Sequence, residues 1–318
     1  MEENSLKIDP NLPVIVIGAA GKDIIGRLKS DFQMDTSNPA KIRVSFGGIA
    51  RNVAENLARL GQPVILLSVV GDDDRGDRLL TQARQAGVIV DHVLRTSEHP
   101  TGTYVGIISA NGQFQSAIDD MRAINCLSVD YIQQHAQLFK EASMLFVDMN
   151  VPKDVLKTAF ALARRANLPI CADPTSFALA SRLKPYLKHL LLMTPNANEA
   201  ALLCNETEKI TNRRQAMKAA KYLVGAGVKI VVITLGEQGL CYATSETSGF
   251  IPANKTEILD PTGAGDALTA TIIFGLINEI PIDDAVRLGV SAASLTLRHL
   301  GTVVPDLSLE KLYDQLII

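Results

Sequence analysis

A stretch late in the chain, "DPTGAGDA" at residues 260–267, combines an anion-binding turn with a carboxylate. Gly263, Ala264 and Gly265 precede a long apolar run, so their backbone N–H groups are predicted to form the free first turn of a buried helix. Asp266 lies in that turn, where an acidic residue is often a helix cap worth about 1 kcal/mol. Beside a bound phosphate the carboxylate is repulsive unless it accepts a proton from an attacking hydroxyl. The stretch therefore favours phosphoryl transfer, with a simple cap as the alternative.

A second glycine pair, Gly47-Gly48, opens the segment "GGIARNVAENLARLG". The apolar spacing predicts an amphipathic helix after the pair. Two glycines allow a ligand to approach the backbone closely, and Asn52 follows one turn into the helix, where its amide can face the same ligand. A tight turn before a helix explains the two glycines equally well at this stage.

The segment "GAAGKD", residues 18–23, follows a predicted strand "VIVI" and resembles a phosphate loop. The resemblance fails, because a P-loop has four residues between its first Gly and a Gly-Lys-Ser/Thr sequence, and Asp23 stands where the second Gly belongs. The dinucleotide fingerprint fails at Ala20 and Asp23. We therefore interpret the segment as a loop at the end of the first strand. Asp23 there accepts hydrogen bonds from ligand hydroxyls or, alternatively, caps the turn.

Composition excludes several classes of protein. The chain has 318 residues, a net charge of −3 and no basic run, so nucleic acid and anionic membranes are not expected partners. Its four cysteines form no C-x-x-C pair and are predicted to be buried free thiols in a reducing compartment. The polar, acidic beginning and the lack of an apolar stretch of about 20 residues predict a cytoplasmic protein without a membrane helix.

Short apolar runs alternate with helical patterns over most of the chain, as in "SMLFVDM" followed by "KDVLKTAFALARRAN". This alternation predicts an α/β fold with a mostly parallel sheet covered on both faces, as one domain over residues 1–318. Two regions, about 36–47 and 88–120, contain β-type runs and turn signals without a helix. They predict a small β-sheet beside the main one, forming a lid over the strand ends where ligands bind.

Four motifs, in order along the chain, resemble the ribokinase-like, or PfkB, family of sugar and nucleoside kinases: "GGIARNVAENLARLG", "TPNANEA", "VVITLGEQGLCY" and "DPTGAGDA". The resemblance implies a three-layer α/β/α fold with a β-sheet lid and transfer of phosphate from ATP to an alcohol, with Asp266 as the base and residues 263–265 as the anion hole. It assigns sugar hydroxyls to Asp23, Gly47, Gly48 and Asn52, the nucleotide to Asn196, Thr234, Gly236 and Gly239, Mg²⁺ through water to Glu199, and potassium to Asp260 and Thr262.

A narrower resemblance, in "SNPAKIRVSFGG", "RLLTQARQAGVIVDHVL" and "SAIDDM", is to family members that phosphorylate the 5′-hydroxyl of pseudouridine. It suggests that Asp119 and Asp120, on or near the lid, accept hydrogen bonds from the uracil N–H groups; solvated turn carboxylates are the alternative. A ribokinase or another nucleoside kinase stays open. A non-catalytic binding protein on the same fold is disfavoured because Asp266 and the preceding glycines are intact. The exposed edges of a lid sheet favour a homodimer through the lid.

Overall fold

The alternating pattern folds into an eight-stranded sheet flanked by helices, with two smaller sheets beside it. The structure is a computed structural model that describes residues 8–206 and 208–316. Its strands are β1 (Val14–Ile17), β2 (Gly21–Leu28), β3 (Ala40–Gly47), β4 (Val64–Leu67), β5 (Val69–Gly71), β6 (Leu94–Thr96), β7 (Gly102–Ile108), β8 (Phe114–Asp120), β9 (Met144–Asp148), β10 (Ile170–Asp173), β11 (Leu192–Met193), β12 (Ile230–Thr234), β13 (Leu240–Ala243) and β14 (Ser248–Ile251).

The α-helices of the described residues supply the two outer layers. They are α1 (Ile49–Arg59), α2 (Asp74–Gln85), α3 (Val129–Gln134), α4 (Lys153–Arg165), α5 (Phe177–Ala180), α6 (Ala197–Leu203), α7 (Arg213–Gly225), α8 (Ala264–Ile277), α9 (Ile282–Leu297) and α10 (Leu309–Asp314). One buried cluster joins the large sheet to α1, α2, α8 and α9, and a second joins its other face to α4, α6 and α7. None of the helices in this part of the chain has the length and apolar composition needed to cross a membrane.

The large sheet has the strand order β14-β13-β12-β11-β10-β9-β1-β4. Pairing is parallel from β4 to β12 and antiparallel only for β13 and β14. Every residue of β1, β4 and β9 is buried, because helices cover both faces; strands of this kind carry continuous apolar runs. The predicted α/β class with a mostly parallel sheet is confirmed.

The small sheet has the order β3-β2-β7-β8. Three of its strands lie in the two regions predicted as a lid, but the fourth, β2, occupies the segment that we interpreted as a loop after β1. Residues 88–101 do not join this sheet, since β6 pairs with β5 in a separate two-stranded sheet. Strand β2 escaped the sequence analysis because its glycines and lysine suggested a turn and because an acid, Asp23, takes one of its inward positions.

The four cysteines are free, as predicted, but they differ in burial. Cys171 and Cys241 are buried, whereas Cys126 and Cys204 are partly exposed. The prediction of buried thiols is therefore correct for two of the four.

Candidate active site

The glycine turn before α8 and the first turn of α1 meet at the carboxyl ends of the central strands. Asn52 Nδ2 donates a hydrogen bond of 2.7 Å to Asp266 Oδ2. Gly263 has φ 84°, and a Cβ on it would lie 2.1 Å from the carbonyl oxygen of Thr302, so glycine is required there. In the part of the chain that the structure describes, a Cβ on Gly265 would meet no heavy atom within 4 Å outside its own helix backbone and chain neighbours. The N-terminus of α8 therefore faces open space, as an anion site requires.

Asp266 is partly buried in this turn. Burial raises the pKa of its carboxyl to about 6, the hydrogen bond from Asn52 opposes this shift, and the charge of Asp148 adds to it. A carboxyl with a pKa near 6 is ionised at neutral pH and is a better proton acceptor than an ordinary aspartate. Asp266 thus has the position and the basicity that phosphoryl transfer to an alcohol needs.

Asp23 lies on β2, with 4% of its surface exposed, and pairs in register with Ser45 on β3 and Tyr104 on β7. Burial raises the pKa of its carboxyl to about 7, with a further contribution from the charge of Asp266. Within residues 8–206 and 208–316 no protein hydrogen bond reaches this carboxylate. Because buried polar groups are normally hydrogen-bonded, its oxygens are available to a ligand hydroxyl.

The glycine pair beside Asp23 meets two separate needs. A Cβ on Gly47 would lie 2.0 Å from Asp23 Oδ2, so Gly47 makes room for the carboxylate. Gly48 has φ 92° and directly precedes α1, and a Cβ on it would lie 2.4 Å from the carbonyl oxygen of Ala19. The tight-turn interpretation therefore applies to Gly48, whereas at Gly47 the close approach is that of the Asp23 carboxylate; contact of either glycine with a ligand stays a prediction.

A buried ion pair supports the site from α1. Arg51 and Glu55, both 1% exposed, pair through Arg51 Nη2 and Glu55 Oε2. Arg51 Nη1 also donates to Asn52 Oδ1 at 3.1 Å. Its charge lowers the pKa of both Asp23 and Asp266, partly offsetting their burial. The sequence analysis missed this pair, although the i, i+4 spacing of arginine and glutamate was visible; such pairs are usually solvated.

Asp148, at the end of β9, connects two backbone segments of the site through hydrogen bonds. It is completely buried, and its Oδ2 accepts from the backbone N–H groups of Ala19 at 2.8 Å and Ala50 at 3.2 Å. Its Oδ1 accepts from Asn150 N at 2.8 Å. The carboxylate thus links the turn after β1 to the first turn of α1. The sequence analysis missed it; an acid that ends an apolar strand was the available signal.

A cavity of about 600 Å³ lies on the other side of α8. Three of the residues predicted to contact the nucleotide, Thr234, Gly236 and Gly239, line it together with apolar side chains of α8 and α9. The fourth, Asn196, lines an adjoining cleft that shares Thr234 and Gly236 with the cavity. The four predicted residues therefore follow one groove that ends at Gly265, at the N-terminus of α8.

Two carboxylates lie near this groove: Glu199, which is buried, and Asp173, which is partly buried. Asn196 caps α6, and Glu199 Oε2 accepts from Asn196 N at 2.9 Å. Burial, and then the charge of Glu199, raises the pKa of Asp173 at the end of β10, and burial also raises that of Glu199. Thr194 Oγ1 lies 3.4 Å from Asp173 Oδ2. Two acids that oppose each other's ionisation fit a hydrated Mg²⁺, which prefers oxygen ligands and keeps several waters. Glu199 was predicted from its motif, whereas Asp173 carries no sequence signal beyond its place at the end of an apolar strand.

The residues predicted for potassium are adjacent but already have a cationic neighbour. Thr262 N donates to Asp260 Oδ1 at 3.0 Å, and Asp260 is 1% exposed. Arg43, from β3 of the small sheet, places Nη2 3.4 Å from Asp260 Oδ2. Asp260 is therefore neutralised by a side chain that the sequence analysis did not consider.

The two lid aspartates differ. Asp23, Tyr104 and Asp119 pair in register across β2, β7 and β8, so they form one row on one face of the small sheet. Asp119 is exposed. Asp120 is held by two hydrogen bonds of 2.8 and 2.7 Å from Arg122, which lower its pKa to about 2. Of the pair, Asp119 has the better placement for contact with a ligand beside Asp23.

Comparison with known proteins gives a family and close relatives. A family model described as pfkB family carbohydrate kinase matches residues 12–308. The pseudouridine kinase of Escherichia coli K12 is 33% identical, with 93% of this chain and 94% of that protein aligned. A ribokinase of Schizosaccharomyces pombe is 25% identical over 92% and 95% of the two chains. The structure of Arabidopsis thaliana ribokinase complexed with ribose and ATP superposes with a TM-score of 0.79 over 96% and 99%, at 22% identity. The predicted ribokinase-like fold is confirmed.

Proposed function

Because the chain belongs to the pfkB family of carbohydrate kinases, and so is a phosphotransferase with an alcohol acceptor, we propose that its acceptor is the 5′-hydroxyl of pseudouridine. The observation that carries this proposal is the row Asp23–Tyr104–Asp119 on one face of the small sheet. Asp23 accepts no hydrogen bond from the described residues, and Asp119 is exposed on the same face. Ribose hydroxyls donate to Asp23, and the base lies toward Asp119. The 33% identity to the Escherichia coli enzyme supports the same substrate.

The row also explains how the base would be selected. Pseudouridine is a C-glycoside, so both uracil N–H groups are free to donate, whereas in uridine one of these nitrogens carries the sugar. A carboxylate that accepts from the extra N–H is left without its partner when uridine binds, and sites of this kind discriminate strongly against the analogue that lacks the donor. Asp119 is the residue that we assign to this contact.

Chemistry takes place between the acceptor and the N-terminus of α8. Asp266, oriented by Asn52, accepts the proton of the 5′-hydroxyl as the hydroxyl oxygen attacks the terminal phosphorus of ATP; the bond from that phosphorus to the bridging oxygen breaks, and ADP leaves. The backbone N–H groups at residues 263–265 stabilise the charge on the transferred group. ATP lies in the groove that Thr234, Gly236 and Gly239 line, with its base against the apolar side chains of α8 and α9.

Magnesium is the metal that this chemistry uses and that the donor set fits. Glu199 and Asp173 would hold it, in part through water, and the bound ion supplies positive charge to the phosphates of ATP. Thr194 Oγ1 donates toward Asp173 and accepts a hydrogen bond from Thr269 Oγ1 of α8, so this acid is connected to the helix that carries Asp266.

A substrate panel tests the proposal. ATP consumption is measured with pseudouridine, uridine, adenosine, ribose and fructose 6-phosphate at equal concentrations. We expect the highest kcat/KM for pseudouridine and a preference over uridine of about 100-fold or more. Asp119→Asn should reduce that preference. Asp120→Asn is the matched control, because the carboxylate of Asp120 is already hydrogen-bonded to Arg122. Ribose accepted as well as pseudouridine would establish the ribokinase alternative instead.

We also propose that the protein is a homodimer through the outer face of the small sheet. On that face Val44, Ile24, Val105 and Ile118 pair in register across all four strands. Val44 is 54% and Ile118 72% exposed, and Ile42, two residues before Val44 on β3, extends the apolar patch. A contiguous exposed apolar row on a sheet is an expected site of association.

A further inference from the structure

Arg43 reaches from the small sheet to the loop that precedes α8. Its Nη2 pairs with Asp260, while its Nη1 is buried and has no hydrogen-bond partner among residues 8–206 and 208–316. The Arg43 side chain is 26% exposed and that of Asp260 1%, and Arg43 lies on the same face of the small sheet as Asp23, two residues along the ladder from the Asp23–Ser45 pair. Leaving a buried N–H group without an acceptor costs folding free energy, which indicates that Nη1 donates to an oxygen of a bound ligand.

Asp260, the acid that pairs with Arg43, lies three residues before the glycine turn of the anion site. Asp260 Oδ1 accepts from Thr262 N, and Gly263 follows directly with the left-handed conformation that starts α8. The guanidinium is therefore held by an acid that lies three residues before Gly263 and is hydrogen-bonded to the start of the turn that presents the N–H groups of residues 263–265. Phosphate is the ligand that this turn is built to bind, and a planar guanidinium suits phosphate oxygens.

The same geometry does not fit a monovalent cation at Asp260 and Thr262. A potassium ion beside Asp260 would lie against a permanently charged guanidinium, and the two cations would repel each other. Asp260 also has a backbone donor and an ion-pair partner already, which leaves its carboxylate little need of a further cation.

We propose that Arg43 takes the place of a monovalent cation at Asp260 and donates from Nη1 to the phosphate bound at the N-terminus of α8. Arg43 is carried by β3, which is paired to the strand that carries Asp23. The anion site would then be complete only with the small sheet in this position, which links acceptor binding to phosphoryl transfer. This proposal rests on the proposed function only in taking the reaction to be phosphoryl transfer; it does not require pseudouridine as the acceptor.

The test compares cations and variants with whichever acceptor of the panel is used fastest, so that failure of pseudouridine as substrate and failure of this inference are distinguishable. Rates are measured in potassium chloride and in tetramethylammonium chloride at equal ionic strength. We expect the wild-type rates to agree within about twofold. Arg43→Met should lower kcat about 100-fold, because it removes a donor to the transferred phosphate, with acceptor KM changed far less. For Arg43→Met, the rate in potassium chloride should be at least about tenfold higher than the rate in tetramethylammonium chloride, because Asp260 has lost its ion-pair partner.

Lys41→Met, on the same strand but exposed, is the control and should leave kcat unchanged. ADP affinity and the unfolding temperature show whether Arg43→Met is folded, and Arg43→Lys gives a second variant that keeps the charge: it should need no potassium and lose activity moderately. A wild-type rate that falls about tenfold or more without potassium would overturn the replacement of the cation. An Arg43→Met or Arg43→Lys enzyme with full kcat would overturn the phosphate contact.

Discussion

The two sheets that frame the cleft differ in what covers them. In the large sheet both faces are covered by helices and the central strands are wholly buried, so side chains can serve chemistry only at the strand ends and in the turns that follow. In the small sheet one face carries the polar row of Asp23 and the other an exposed apolar row. The covered region therefore holds the proposed base and anion turn, while the half-covered region carries the groups that we propose to select the acceptor and to complete the phosphate site.

The largest effect should come from the covered region. Asp266→Asn removes the proton acceptor but keeps the hydrogen-bonding shape beside Asn52, so kcat should fall about 1000-fold or more. ATP affinity should stay within about threefold, because the nucleotide groove is unchanged. Steady-state kinetics and titration calorimetry check the two quantities. An activity of more than a few per cent of wild type would contradict the assignment of the base.

A glycine of the small sheet gives the next effect. Gly47→Ala places a Cβ against the carboxylate of Asp23, so acceptor KM should rise about tenfold or more and the free energy of unfolding should fall by about 1–3 kcal/mol. Gly225→Ala, where a Cβ meets nothing within 4 Å, is the control and should be neutral or stabilising. Kinetics and chemical denaturation measure both variants. An unchanged acceptor KM in Gly47→Ala would contradict the proposed role of Asp23 in binding the acceptor.

The pH profile distinguishes the two acids. Both must be ionised to act, and their pKa values are raised to about 7 for Asp23 and about 6 for Asp266. We expect kcat/KM for the acceptor to fall as pH decreases through 7 and then more steeply through 6. Asp23→Asn should remove the upper transition and leave the lower one. A profile that is flat from pH 8 to about pH 5 would contradict both raised pKa values.

The same raised pKa values predict a stability effect of the opposite sign. A carboxyl whose pKa is higher in the folded than in the unfolded protein binds its proton more tightly when folded, so its contribution to stability is present at low pH and lost as pH rises through about 7 for Asp23. Asp23→Asn should therefore raise the unfolding temperature by a few degrees at pH 8, and by less at pH 5. Calorimetry at the two pH values gives the comparison, and an equal shift at both would show that ionisation is not the cause.

The smallest effect on activity concerns the outer face of the small sheet. Val44→Glu with Ile118→Glu should convert the proposed dimer to a monomer in sedimentation velocity, because two charges enter the apolar row. Activity per chain should stay within about twofold, since the polar row is on the other face. Tyr222→Glu, an exposed hydrophobic on α7, is the control. A wild-type protein that sediments as a monomer at all concentrations would rule out the dimer.

Much of the site was predictable because it is local in sequence. The turn "TGAGD" contains its own glycines, its own helix start and its own acid, and the Asn196–Glu199 capping box is complete within four residues. The missing parts lack such local signals. Asp148 contacts backbone 129 and 98 residues away, Arg43 meets Asp260 across the cleft, and Arg51 resembles a solvated helical arginine until neighbouring elements bury it.

By itself the sequence determined the alternation of strands and helices that builds the large sheet, the glycine turn before α8 and the acid at the start of that helix, because these depend on backbone conformation and on apolar periodicity within one element. Only the tertiary structure decided that Asp23 lies on a lid strand, that Asp173 faces Glu199 and that Arg43 neutralises Asp260. Charge, burial and pKa depend on which groups approach from distant parts of the chain, and no local pattern specifies that approach.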